Sequence, residues 1–145
     1  MKMGIASDHG GYKLKEDIKN EFSKIQWKDY GCSSEESVDY PDYISALAKA
    51  VLQKEIETGI AICGTGIGAS IVANRFKGIR AALCHNEFTA QMAKKHNNAN
   101  ILVLGARVLE NEKAFQIIRA YLENEFEGDR HMRRLEKIEE VSKNI

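Results

Sequence analysis

The chain has 145 residues, about one domain's worth, and 43% of them are apolar, enough for a core and too many for a disordered segment. Acidic and basic residues balance at 21 each, so no bulk field draws the chain to nucleic acid or to an anionic membrane. The longest apolar runs are about five residues against the ~20 that a bilayer span needs, and Asp8 interrupts any signal-peptide core, so a cytoplasmic protein is expected.

Strand and helix signals alternate along the whole length. Met3 to Ala6 reads as a short first strand. Leu14, Ile18 and Phe22 recur every four residues, which predicts an amphipathic helix from Gly11 to Lys24. Ile25 to Tyr30 is a weak second strand closed by Gly31, and residues 31–39 are a polar loop. Pro41 fits the first turn of a helix with Asp39 as its cap, and Ile44, Leu47, Ala48, Val51 and Leu52 form its buried face. Gly59 to Cys63 is the third strand, followed by a helix from Gly68 to Phe76. Ile79 to Cys84 is the fourth strand, and Glu87 to Lys95 the helix after it. Ile101 to Leu104 is the fifth strand. Apolar residues from Ala114 to Leu122 mark a long helix starting near Glu110. A last, highly charged helix is expected from about Asp129 to Ser142.

Five strands, each followed by a helix, imply parallel pairing with right-handed crossovers. The expected fold is an α/β doubly wound five-stranded parallel sheet, a Rossmann-like αβα sandwich in the order 2-1-3-4-5, with residues 1–145 forming one domain. With one proline, no repeat and no low-complexity tract, nothing marks a linker. In that order the chain reverses direction between strands one and three, and ligands bind outside the carboxyl ends of strands at such a point. Two loops meet there, Ser7-Asp8-His9-Gly10-Gly11 and Cys63-Gly64-Thr65-Gly66-Ile67-Gly68.

The second loop carries the strongest chemical signal. Its glycines let backbone N–H groups crowd round an oxygen-rich ligand, and the following helix start favours negative charge. A thiol at the mouth of such a nest suits a base or nucleophile. A free cysteine is also commonly a small buried hydrophobe. Cys84 ends a strand with no glycine turn and reads as structural, and Cys32 in the polar loop as a bystander. The odd count of three cysteines, none spaced Cys-x-x-Cys, fits reduced thiols. Asp8 is either a helix cap or a ligand for a sugar hydroxyl, and His9 either a surface residue or an imidazolium for a phosphate. His96 closes a helix and is either a dipole partner or a functional acid, with Asn97 or Asn98 as a left-handed cap. His85 has no obvious partner. Arg130 and Arg134 share a helix face and either meet solvent or clamp a phosphate, with His131 and Arg133 nearby. Arg107 follows the fifth strand at the carboxyl edge. The four histidines lack ligand spacing with one another or with cysteine, so no metal is expected.

Seven segments together resemble the type B ribose-5-phosphate isomerases. They are Ser7-Asp8-His9-Gly10-Gly11, Asp39-Tyr40-Pro41-Asp42-Tyr43, Gly59 through Gly68, Ala73-Asn74-Arg75, Gly78-Ile79-Arg80-Ala81, His96-Asn97-Asn98-Ala99-Asn100 and Gly105-Ala106-Arg107. The likeness continues through Glu127-Gly128-Asp129-Arg130-His131. That family also holds galactose-6-phosphate isomerase subunits and allose-6-phosphate isomerases. The resemblance implies an aldose–ketose isomerase working through a cis-enediolate without cofactor. Ribose 5-phosphate and ribulose 5-phosphate are the implied pair, and a hexose 6-phosphate the alternative.

By the same resemblance Cys63 is the base. A second subgroup has glycine there and a glutamate where this chain has Ser70. Thr65 and His96 would open the sugar ring, and Asp8 would contact the ring oxygen or a hydroxyl. His9, Arg107, Arg130 and Arg134 would bind the phosphate. The amides of Gly64, Gly66, Ile67 and Gly68, with Asn97, would hold the enediolate oxygen, and Tyr43 would line the pocket. Family sites lie between two subunits, so a homodimer or homotetramer is implied, with His96 and Arg107 coming from the partner and the last helix serving both phosphate site and dimer. A nucleotide-binding module is the rival from another class, because Gly64 through Ala69 matches a dinucleotide fingerprint with Glu87 roughly 20 residues on. That motif follows the third strand rather than the first, and the reading leaves Cys63 and the arginines unexplained.

Overall fold

A computed structural model describes residues 1–145. Its elements run in the order β1 (Lys2–Ser7), α1 (Tyr12–Glu21), β2 (Gln26–Asp29), α2 (Tyr40–Leu52), β3 (Gly59–Cys63), α3 (Ile67–Ala73), β4 (Ala81–Leu83), α4 (Glu87–Lys95), β5 (Ile101–Gly105), α5 (Asn111–Leu122) and α6 (Arg130–Glu140). All the strand pairings are parallel. The five-stranded α/β fold is as expected from the sequence.

The strand order is not. It is β2-β1-β3-β5-β4, where the sequence suggested 2-1-3-4-5. The physical reason is burial. Every residue of β5 is buried, whereas β4 has three residues, all half-exposed, and begins just after Arg80. A fully apolar strand belongs in the middle of a sheet covered on both faces, and a short one at its edge. β2 is likewise largely exposed and lies at the opposite edge, so not all strands are apolar on both faces. The reversal between β1 and β3 survives the correction.

Side chains alternate across the central strands, as the pleat requires. Ile60, Ile62, Leu102 and Leu104 pack with Leu14 and Ile18 of α1 and with Phe115, Ile117 and Ile118 of α5. Ala61, Cys63, Ile101 and Val103 pack on the other side with Ile44, Leu47 and Ala48 of α2 and Ala69 and Ala73 of α3. Fully burying one such isoleucine or leucine contributes about 1.5–3 kcal/mol.

The helices start where local chemistry allows. Pro41 sits in the first turn of α2, although the Asp39 side chain makes no cap bond. Asn86 and Thr89 form a reciprocal capping box at α4. A 3-10 turn over His9–Gly11 leads into α1, which begins one residue after the expected Gly11 and ends at Glu21 rather than Lys24. Asn98, at φ 44, is the left-handed residue after α4. α6 buries only His131 and Leu135.

Candidate active site

β1 and β3 end side by side and diverge into two loops. Asp8 accepts the Gly11 N–H on Oδ1 at 3.1 Å, capping the 3-10 turn, which leaves its other oxygen for a ligand. Cap and ligand are therefore compatible roles. His9 accepts the Val38 N–H on Nδ1 at 3.1 Å. An accepting nitrogen carries no hydrogen, so the ring presents its N–H at Nε2. Nε2 is therefore the ring nitrogen left for a ligand.

Cys63 ends β3 with its side chain toward α2 and α3 and is 5% exposed. The chain then folds flat against β5. Gly66 has φ 81, and a Cβ there would lie 2.5 Å from Leu83 Cδ1 and 3.2 Å from the Leu104 carbonyl carbon. At Gly105 a Cβ would lie 2.5 Å from the Thr65 carbonyl oxygen. Only glycine fits either place. The close approach leaves the loop amides unspent. The N–H groups of Gly64, Thr65, Gly66 and Gly68 donate to no acceptor in the chain, while Ile67 N–H is taken by Thr65 Oγ1 at 3.2 Å. Since α3 has only seven residues, these amides contribute more than its dipole.

Arg107 completes this end. Because β5 pairs directly with β3, Arg107 N–H reaches the Gly64 carbonyl at 2.8 Å and Ala106 N–H the Cys63 carbonyl at 2.9 Å. A Cβ on Gly64 would lie 3.0 Å from Arg107 Nη1, and one on Gly10 3.4 Å from Nη2. The guanidinium therefore spans both loops of its own chain, not of a partner as the resemblance implied. The strand order explains this: with β4 in the middle, Arg107 would have stood one strand further away.

Tyrosines close the site on the α2 side. A Cβ on Gly68 would meet the Tyr40 ring at 2.6 Å, and one on Gly31 the Tyr43 ring at 2.5 Å. Tyr43 so faces the turn after β2, and Tyr40, which sequence reasoning did not single out, faces the glycine loop. Cys32, although in a polar loop, is buried. It is 3% exposed, with its thiol 3.2 Å from the Ser34 carbonyl. Burial pushes the Cys84 thiol up to about 11 despite its contact with Thr89, in keeping with a structural role.

The remaining candidates stand at the other end of the sheet, roughly 15 Å of strand away. His96 ends α4. Arg80, just before β4, donates from Nε to the Asn97 and Asn98 carbonyls at 3.1 and 3.0 Å. Asn100 locks the same corner, accepting Arg80 N–H at 2.8 Å and donating to the Gly78 carbonyl at 2.9 Å. The Glu127 N–H bonds the Lys95 carbonyl at 3.0 Å and brings the start of α6 alongside. His131 stacks on His96, ring centroids 4.1 Å apart and planes 13° from parallel. Glu127 Oε1 lies 3.4 Å from His96 Nε2 and 3.7 Å from His131 Nε2. Burial, then the neighbouring His96 and Arg130, hold the His131 imidazole below its ordinary value. Arg130 and Arg134 are exposed, and no carboxylate pairs with either.

The structure thus gathers Asp8, His9, Cys63, Thr65, the glycine amides and Arg107 at one end, and His96, Asn97, Arg130 and Arg134 at the other. It also brings His96, Glu127 and His131 together, three potential ligands that sequence spacing did not reveal. A mainly apolar cavity of about 450 Å³ takes no lining residue from either loop. It runs along the free edge of β4 and is lined by Leu83, Phe88, Met92, Leu135 and Ile138.

The family described as Ribose/Galactose Isomerase matches residues 3–138. A ribose-5-phosphate isomerase B from Clostridium thermocellum superposes with a TM-score of 0.96 at 49% identity, covering 99% of this chain and 98% of that one. Ribose-5-phosphate isomerase B of Escherichia coli is 42% identical over 94% of this chain and 93% of its own length. D-erythrulose-4-phosphate isomerase of Pectobacterium atrosepticum is 41% identical over 95% and 93%.

Proposed function

The chain belongs to the ribose/galactose isomerase family and is a sugar-phosphate isomerase, and on that premise we propose that it interconverts ribose 5-phosphate and ribulose 5-phosphate through a cis-enediolate with Cys63 as the base. One observation carries this reading. Four loop amides without an internal acceptor surround the end of the strand that presents the thiol, and an unpaired guanidinium lies across the same two loops.

The chemistry follows from that arrangement. Cys63 removes the C2 proton of the open-chain aldose. The C–H electron pair forms the C1=C2 bond, and the carbonyl pair moves onto O1. The developing oxyanion meets the amides of Gly64, Gly66 and Gly68, which are already aimed and need no reorganisation. The thiol then returns its proton to C1 while the O2 hydrogen passes to O1 and C2=O forms. A thiol that is 5% exposed suits this shuttle, because little water competes for the proton. Arg107 and the Nε2–H of His9 hold the phosphate, and the binding energy at that remote end positions the reacting carbons.

Ring opening needs a second acid/base, and His96 with Asn97, Arg130 and Arg134 stands a strand's length from Cys63 of the same chain. The reading therefore includes a second copy, whose amino-end cluster faces the carboxyl-end loops. Exposed apolar residues on α4 and α6, Phe88 at 67% and Ile138 at 48%, give such a pair a surface to cover. The substrate is tested by coupled assays with ribose 5-phosphate, allose 6-phosphate, galactose 6-phosphate and erythrulose 4-phosphate. The reading expects the largest kcat/KM with ribose 5-phosphate. A larger value for a hexose or tetrose phosphate overturns the substrate while leaving the reaction class intact.

A further inference from the structure

The corner formed by the end of α4 and the start of α6 holds a side-chain cluster that the proposed isomerisation uses only through His96 and its neighbours Asn97, Arg130 and Arg134. Two imidazoles and one carboxylate converge there, their donor atoms within 4.8 Å of one another. The carboxylate-to-imidazole distances, 3.4 and 3.7 Å, are too long for good N–H···O bonds. They are close to the edge of a tetrahedron of ligands around zinc, about 3.3 Å for bonds near 2.0–2.1 Å. The three residues come from separate places: His96 from the helix end, Glu127 from the connection, His131 from the first turn of α6.

We propose that His96, Glu127 and His131 form a binding site for a borderline transition-metal dication such as Zn²⁺ or Co²⁺, with water as the fourth ligand. Two histidines, one glutamate and an open position are a donor set that suits zinc. The site has an entrance, since Glu127 is 49% and His96 37% exposed at the side chain, while His131 at 7% supplies a fixed wall. The stacked rings hold both Nε2 atoms on the Glu127 side, and loading swings the exposed His96 ring out of the stack so that the in-plane lone pairs of the two imidazoles converge. Arg130 and Arg134 oppose a dication nearby, and Glu127 is the carboxylate that offsets them. Occupancy would remove His96 from proton transfer, so the ion would act as a reversible inhibitor. That consequence rests on the ring-opening role proposed for His96, whereas the site itself does not.

The test titrates metal-free protein with Co²⁺ and Zn²⁺, following the visible d–d bands of tetrahedral cobalt and the heat of zinc binding. Wild type, Glu127→Gln and His131→Asn are compared, with the rate on ribose 5-phosphate read with and without Zn²⁺ and after chelation. The proposal expects one ion per chain in wild type. Loss of even an outer-shell partner weakens metal sites about 10–100-fold, so each variant should lose at least that much. Glu127 is exposed, which keeps its substitution informative should His131→Asn fail to fold. Absence of the cobalt bands in wild type, or equal affinity in Glu127→Gln, overturns the site. Zinc that binds as expected without slowing the reaction confirms the site and removes His96 from the mechanism.

Discussion

The two ends of the sheet solve different problems with different materials. The carboxyl end is built from backbone: unspent amides on two glycine loops, with Cys63, Asp8, His9 and Arg107 set into them. The amino end is built from side chains: His96, His131, Glu127 and two free arginines, held by the Arg80 and Asn100 hydrogen bonds. Backbone donors are fixed by the fold and can meet a developing charge without moving. Side chains on helix ends can titrate, bind metal and adapt. In the proposed mechanism the carboxyl end stabilises the enediolate and holds the phosphate through Arg107 and His9, and the amino end opens the ring.

The sharpest way to break this division is Cys63→Ala. It should lower kcat on ribose 5-phosphate about 10³-fold or more, at the upper part of the range for a proton-transfer group. Binding of a phosphorylated sugar, followed by calorimetry, should stay within a few-fold, because the amides and Arg107 remain. A wild-type rate would mean that another group is the base.

His96→Asn sharpens the contrast. It should slow turnover of cyclic substrate by about 10²-fold while open-chain aldose, supplied in a stopped-flow assay, loses under tenfold. Equal losses would take ring opening away from the amino end.

Arg107→Ala should raise KM about 10–100-fold with a smaller change in kcat, the cost of one or two charge-assisted hydrogen bonds at about 1.5–3 kcal/mol. Arg107→Lys should rescue little, since an ammonium cannot span both loops as the planar fork does.

The smallest effect concerns what steadies the carboxyl end. Asp29, at the end of β2, pairs with Lys15 and Lys19 and accepts the Gly31 N–H at 2.8 Å. Burial draws its carboxyl upward, but the two lysines and that amide outweigh it and hold it below its ordinary value. A carboxyl depressed by folding adds stability that is present above the unfolded value, near 3.8, and is lost as the pH falls through the lower folded value. Thermal melts should therefore show Asp29→Asn about 1–2 kcal/mol less stable than wild type at pH 7, with the gap closing below about pH 4. A gap independent of pH would assign the loss to packing instead.

Most of this architecture was legible in the sequence, because periodicity and caps are local. Alternating strand and helix signals gave the parallel sheet, and the reversal between β1 and β3 located the two loops. Strand order was not local. The four-residue apolar run Ile101–Leu104, set against Ala81-Ala82-Leu83 beside Arg80, is the signal that would have put β5 inside, and with it Arg107 over Gly64 in the same chain. The His96–His131 stack joins residues far apart in sequence through a turn with Asp129 at φ 52, which no spacing rule anticipates. Tyr40 carried no mark beyond its place in the segment Asp39-Tyr40-Pro41-Asp42-Tyr43.

The central claim is that one chain's carboxyl-end loops work with another chain's amino-end cluster. Mixing inactive Cys63→Ala protein with inactive His96→Asn protein, under conditions that exchange subunits, tests it directly. The account predicts that activity returns to about a quarter of the wild-type rate at equal mixing, since half of randomly re-paired dimers then hold one intact site of two. If both proteins exchange subunits and the mixture stays as inactive as its parts, the site does not combine the two ends in this way.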